Sequence, residues 1–269
     1  MRSSLLLASV AGVLSLAMIG LGCEARAPEK AEAKAEAAMP PGPAPAPALE
    51  VAKQPDEVAP APIEKKPVVC PPAPKVAFGD AALEAEVRRK AGKPEGELSV
   101  ADLRKIRSVD LTRSGAKVES LDPCVFPLLT GLRHLYIGRG SITDLTPLQG
   151  LTKLEGLRIS MNPVSDITPL AGMSQMDRLD LGRTQVRDLA PLKNLKKLTE
   201  LMLDDTPIDD VTALAGLTNL ERLSIKRTRV SDVSPLRSLL ELKFLYVGGS
   251  PLESSGGLAR RGLTISSED

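Results

Sequence analysis

The sequence predicts an α/β solenoid, a stack of short units that complete one parallel hydrogen-bond ladder, and three observations carry that prediction. The first is a fixed period. Leu132, Leu154, Met176, Leu198, Leu220 and Leu242 succeed one another at intervals of 22 residues, and apolar residues stand at the third and fifth positions after each. In the first unit these are Leu135 and Ile137, and in the last they are Leu245 and Val247. The frame holds without an insertion, which is the signature of a repeat architecture. The second observation is a later apolar cluster in each unit, written as Ile142, Leu145, Pro147, Leu148 and Leu151, then as Val164, Ile167, Pro169, Leu170 and Met173. The third is energetic. About seven inward side chains per unit supply roughly 10 to 20 kcal/mol gross, whereas ordering one unit's backbone costs on the order of 22 to 44 kcal/mol. A lone unit cannot fold; stacked units share burial on both flat faces and need caps at the two ends.

The combined pattern LxxLxLxxN followed by IxDLxPLxxL is read most fully from Leu154 to Met173 (LEGLRISMNPVSDITPLAGM). It resembles the short leucine-rich repeat of internalins and phosphatase regulators. The resemblance implies one short parallel β-strand per 22-residue repeat on a concave face, with turns or 3₁₀ segments on the convex face. The repeats occupy residues 108–253. The Asn position is the point of departure, reading Gly140, Asn162, Thr184, Thr206, Thr228 and Ser250. Hydroxyls are therefore expected to carry most of its backbone-bonding ladder.

Residues 75–107 read as a helical N-terminal cap. Asp80 can cap a helix through Ala91 with Leu83 and Val87 on one face, ended by Gly92-Lys93-Pro94-Glu95-Gly96. Ser99-Val100-Ala101-Asp102 forms a capping box for a second short helix that turns Leu103 and Ile106 inward. Two small helices followed by Val109-Asp110-Leu111 are similar to the cap of internalin-like domains. Ile106 and Leu132 are 26 residues apart, so the first unit carries an insertion, around Ser114 to Lys117 or Asp122 to Phe126. Residues 254–269 read as a closing tail in which Leu263-Thr264-Ile265 can add one last strand, with no separate C-terminal domain.

Ahead of the cap, Leu5 to Leu21 form an uncharged apolar run preceded by Arg2, and residues 1–22 read as a secretory signal. Gly22-Cys23 resembles the end of a bacterial lipobox, in which Cys23 is lipidated and becomes the mature N-terminus; Gly20 departs from the Leu preferred there. Ordinary secretion and an uncleaved membrane anchor stand as the alternatives. Residues 23–74 are rich in Ala, Pro, Glu and Lys and read as a disordered tether, partly polyproline II. The expected address is a bacterial cell envelope, membrane-anchored and facing the periplasm or the surface. With Cys23 lipidated, Cys70 and Cys124 form an even pair in an oxidising compartment. A disulfide and two free thiols are the two readings of that pair. No cofactor is implied, and no metal site can be assembled, since CxxC spacing is absent and His134 is the sole histidine.

Strand alternation makes the outward columns readable. One holds His134, Gly156, Arg178, Glu200, Arg222 and Phe244; the next holds Tyr136, Arg158, Asp180, Met202, Ser224 and Tyr246. A third holds Gly138, Ser160, Gly182, Asp204, Lys226 and Gly248, and a fourth Arg139, Met161, Arg183, Asp205, Arg227 and Gly249. Charges alternate by rung, with Asp204 beside Lys226 and Arg158 beside Asp180, which reads first as cross-strand pairing. That alternation and the net charge of +1 argue against a nucleic-acid groove. Of two Tyr and three Phe, Tyr136, Phe244, Tyr246 and Phe126 are expected at or near the surface. Phe244 and Tyr246 read either as an interface anchor or as a seat for the closing tail. The repeated acids Asp144, Asp166, Asp188, Asp210 and Asp232 read as acceptors for tight-turn N–H groups rather than calcium ligands.

No nucleophile or same-rung carboxylate accompanies His134, so the chain reads as non-catalytic. The resemblance implies a monomeric binding module that meets an unidentified protein through its concave face and the membrane through lipid at Cys23. The candidate face comprises His134, Tyr136, Arg158, Arg178, Asp180, Glu200, Met202, Asp204, Arg222, Phe244 and Tyr246. An internalin-type surface adhesin is the alternative within binding, set lower because no wall-anchoring tail is found. A structural envelope spacer without a partner is the other alternative.

Overall fold

The computed structural model describes Cys70 and residues 76–268, apart from 114, 116, 254 and 255. Except for Cys70, the signal and tether segments, with Cys23, lie outside the described residues.

Helix α1 (Ala81–Ala91) opens where Asp80 accepts the N–H groups of Ala82 and Leu83, and it ends at Gly92, whose φ of 66° is the left-handed conformation that suits glycine. Helix α2 (Val100–Lys105) begins with the capping box: Asp102 N–H donates to the Ser99 hydroxyl, and the Ser99 N–H donates to the Asp102 carboxylate. Leu83, Val87, Leu103 and Ile106 face the core and are buried.

Eight strands then follow in chain order: β1 (Ser108–Asp110), β2 (His134–Tyr136), β3 (Gly156–Arg158), β4 (Arg178–Asp180), β5 (Glu200–Met202), β6 (Arg222–Ser224), β7 (Phe244–Tyr246) and β8 (Thr264–Ser266). They form one parallel sheet in sequence order, each strand bonded to the next. From β2 to β7 the register equals the sequence period, with Leu157 opposite Leu179, Leu179 opposite Leu201 and Leu201 opposite Leu223. Strand β8 pairs Ile265 with Leu245, so the tail's last strand extends the sheet as one further rung.

The ladder runs beyond the strands. Met161, Arg183, Asp205 and Arg227 adopt φ between 50° and 61°, turning the chain out of the sheet. Their N–H groups still donate across to Gly182, Asp204, Lys226 and Gly248. Left-handed backbone at a non-glycine residue costs roughly 1 kcal/mol or more, and the cross-rung hydrogen bond at each turn offsets it. On the far side, Asp144, Asp166, Asp188, Asp210 and Asp232 each accept the N–H two residues onward, at 2.7 to 2.9 Å. These turns lead into short 3₁₀ segments, most of which carry Pro near their start.

One continuous apolar core runs from Leu83 to Leu258. It corrects the expectation for Phe126, which is 1% exposed. Asp122 accepts the N–H groups of Cys124 and Val125, and the 3₁₀ turn Phe126–Leu128 that follows carries the ring inward. Phe126 thus fills the end of the first repeat, where the sequence irregularity leaves room for a large side chain.

At the Asn position hydroxyls carry most of the backbone bonding, as expected, but most of them stay within their own repeat. Asn162 bridges units: its amide donates to Gly138 O in the preceding repeat as well as to Ile159 O and Ser160 O, and its carbonyl accepts Ile142 N–H. Thr184, Thr206 and Thr228 donate to the carbonyl three residues back, within their own turn. A hydroxyl reaches less far than an amide, so the threonines hold the local turn; Ser250, which meets Ile225 O and Thr228 N–H, is the hydroxyl that crosses to its neighbour.

Candidate functional site: the outward face of the sheet

The middle residue of every strand from β1 to β7 is buried, so its two flanking residues project on the opposite face. The rungs bring the candidate side chains into ladders about 4.8 Å apart.

The paired charges meet as their columns suggest. Arg158 lies 3.2 Å from Asp180. Glu200 sits between Arg222 at 3.2 Å and Arg178 at 3.9 Å. In the fourth column Asp205 is held by Arg227 at 2.6 Å and by Arg183 at 3.2 Å. The two guanidiniums, Arg227 foremost, lower the Asp205 carboxyl to about 2. Each exposed pair contributes roughly 0 to 1 kcal/mol, so these ladders align side chains more than they stabilise the fold.

Asp204 is a correction. Its carboxylate accepts the Ser224 hydroxyl and the backbone N–H of Lys226. The Lys226 ammonium instead lies 5.8 Å from the centre of the Tyr246 ring. The residue two places before Lys226, rather than its charge, decides where Asp204 points.

Two ring pairs stand at opposite ends of the face. His134 and Tyr136 lie 6.2 Å apart with planes within 9°. Phe244 and Tyr246 lie 6.5 Å apart with planes within 10°. Tyr136 and Phe244 are 37% and 38% exposed, and Tyr246 is half-buried. Strand β8 pairs beside β7 and leaves the Phe244 ring accessible.

Between them the face is recessed. Tyr136, Gly156, Arg158, Arg178, Glu200 and Met202 help line a depression of about 410 Å³. Its neighbour of about 210 Å³ shares Arg158, Asp180 and Met202. Gly156 keeps the floor low, since a Cβ there would stand 2.9 Å from His134 Nδ1. That nitrogen is buried without a hydrogen-bond partner among the described residues, and His134 Nε2 is 3.9 Å from the Glu155 carboxylate, beyond hydrogen-bond range.

One ladder escaped the sequence reading. The residues just before the strands pair across repeats: Arg133 with Glu155 at 2.5 Å, Asp177 with Thr199 at 2.5 Å, and Glu221 with Lys243 at 2.9 Å. The same 22-residue spacing that revealed the outward columns marks this one.

A parallel, strictly sequential sheet with an open polar face defines a leucine-rich-repeat solenoid, and comparisons with solved structures agree. Internalin C2 of Listeria monocytogenes is 30% identical, with a TM-score of 0.63; the match covers 70% of this chain and 94% of that one. InlF of the same organism is also 30% identical, with a TM-score of 0.56, covering 66% of this chain and 58% of its own. A leucine-rich-repeat protein of Leptospira interrogans shares the fold at 16% identity and a TM-score of 0.52, with 62% of this chain and 50% of that chain covered. No family model and no curated protein matches the chain. The chain belongs to the leucine-rich-repeat family and has an internalin-like solenoid.

Proposed function

We propose that this is a lipid-anchored cell-envelope protein whose concave leucine-rich-repeat face binds another protein without catalysing a reaction. The observation that carries the reading is the division of labour within each strand. The inward residue completes the core, whereas the outward rings of Tyr136 and Phe244 stay accessible. Large aromatic side chains that the core does not require are the residue type that anchors protein interfaces. The likeness to internalin C2 supports a scaffold built for binding, and repetition of the scaffold itself sets no partner.

The anchor rests on the sequence: an apolar run ending in Gly22-Cys23, then a Pro- and Ala-rich stretch of the composition expected for a tether. None of the helices among the described residues is long and apolar enough to cross a membrane.

Cross-linking pull-downs from cells test the face. A variant carrying Tyr136→Ala, Phe244→Ala and Tyr246→Ala should recover the partner at least about tenfold less well than the parent, since one anchor ring is worth 2 kcal/mol or more. Equal recovery by both would sink the concave-face reading. Membrane fractionation of Cys23→Ser tests the anchor separately, with release to the soluble fraction as the expected outcome.

A further inference from the structure

The last two regular rungs carry an arrangement of charge and rings that the rest of the face lacks. The Lys226 ammonium lies over Tyr246, and it has no carboxylate partner among the described residues, because Asp204 turns to the Lys226 backbone and to Ser224. On the neighbouring column Arg222 lies 5.4 Å from the centre of the Phe244 ring, and it shares the Glu200 carboxylate with Arg178. Two nearly parallel rings are thus each backed by a cation from the preceding rung. The opposite end offers a clear contrast. His134 and Tyr136 form a comparable ring pair, but the arginines around them are matched, Arg133 by Glu155 and Arg158 by Asp180.

Three features of this platform specify an occupant. A half-buried cation with no carboxylate partner among the described residues favours an anion and opposes a second cation. The rings beside it keep water away from one side, which strengthens any ion pair formed there, and their faces hold the cations in place. Finally, an extended peptide sets alternate side chains about 6.6 Å apart, close to the 6.5 Å between the Phe244 and Tyr246 ring centres. A chain running along β7 lays alternate side chains over successive rings.

Resting on the protein-binding reading above, we propose that the β6–β7 end of the face takes an extended peptide segment in which a carboxylate side chain neighbours an aromatic or large aliphatic one. The carboxylate meets Lys226 Nζ, and the apolar side chain lies against Phe244 and Tyr246. Lys226 then sets the charge preference, and the rings set the need for an apolar neighbour.

Fluorescence anisotropy of the purified chain with two labelled decapeptides tests this. One carries a single Glu-Ser-Phe-Ser-Phe segment in a Gly/Ser background, and the other has Lys in place of Glu. The acidic peptide should bind at least about tenfold tighter and weaken as salt rises. Lys226→Glu should remove or reverse the preference, and Phe244→Ala should weaken the acidic peptide with the charge preference retained. Thermal melting of both variants should match the parent, since both side chains are outside the core. Equal binding of the two peptides, or an unchanged preference in Lys226→Glu, overturns the proposal. The cellular pull-down separates it from the reading beneath. A partner recovered equally by the parent and by Lys226→Glu rejects this platform and leaves protein binding standing, whereas no saturable partner for the parent rejects the protein-binding reading itself.

Discussion

The two ends of the solenoid are closed by different means. At the N-terminal end, two capped helices cover the first repeat and are tied to it several times over. Glu86, buried on α1, pairs with Arg89 and accepts the N–H of Asp110 on β1. Arg107 donates to Gly131 O, Asp122 accepts Gly79 N–H, and Cys70 is bonded to Cys124 with Cα atoms 5.4 Å apart. Lys93, followed by Ser99, holds the Asp102 carboxyl well below its ordinary range, so the capping box keeps its charge into acid. At the C-terminal end a three-residue strand, β8, adds a rung, and two arginines hold the tail: Arg237 to Gly256 O, Arg260 to Leu239 O and Leu242 O. A repeat array needs both ends covered, yet here one cover is a small folded unit and the other a single layer of chain. The first repeat is thus fixed by a packed helical cap and a covalent tie, and the last by one added rung, two arginines and the buried side chain of Leu258.

The largest test of that contrast removes the covalent tie. The Cys70–Cys124 pair encloses a sequence separation of 54, and releasing a loop of that size costs about 2 to 4 kcal/mol. Cys124→Ser should lower the unfolding free energy measured by urea denaturation by that amount, and hydrogen exchange should show the loss of protection centred on α1, α2 and β1 with β6 to β8 unchanged. Uniform loss along the sheet would mean that the ends are coupled and the contrast is false.

A matched pair of substitutions comes next. A Cβ on Gly140 would stand 2.1 Å from Val118 O, and one on Gly248 would stand 2.5 Å from Glu268 O. Gly140→Ala, against packed first-repeat backbone, should cost about 1 to 3 kcal/mol. Gly248→Ala meets a tail that can shift, and should cost under about 1 kcal/mol. Equal losses in chemical denaturation would show the tail to be as firmly set as the first repeat.

The smallest effect comes from the middle. The Asp205 carboxyl is lowered to about 2 by Arg227 and Arg183, so its contribution is complete above the ordinary carboxylate range near pH 4 and disappears as pH falls toward 2. The urea midpoint of the parent should drop more steeply across that window than that of Asp205→Asn. Parallel profiles would place acid sensitivity elsewhere, at the capping box for instance.

The frame of the fold was legible because burial repeats: Leu157, Leu179, Leu201 and Leu223 can be aligned by counting, and the parallel register follows. What counting missed depends on which of two partners wins. Asp204 faces Lys226 by column, but a hydroxyl at Ser224 and a backbone N–H lie closer to hand. Phe126 sits where the period breaks, so nothing in the sequence fixed its direction, and the turn after Asp122 carried it inward. The left-handed turn at Met161, Arg183, Asp205 and Arg227 was hidden because glycine stands at that place in Gly249 alone among the regular repeats. The aromatic pairs of the face were readable as positions, whereas the cations behind Phe244 and Tyr246 needed the structure.

The bond between Cys70 and Cys124 has a mechanical meaning as well. A pull transmitted along the chain from before Cys70 enters the domain at Cys124, inside the first repeat, and passes onward through the sheet. Helices α1 and α2 lie within the covalent loop and carry none of that load while the bond is intact. After reduction the same pull reaches Val76 and α1 first, and the cap becomes the piece that peels.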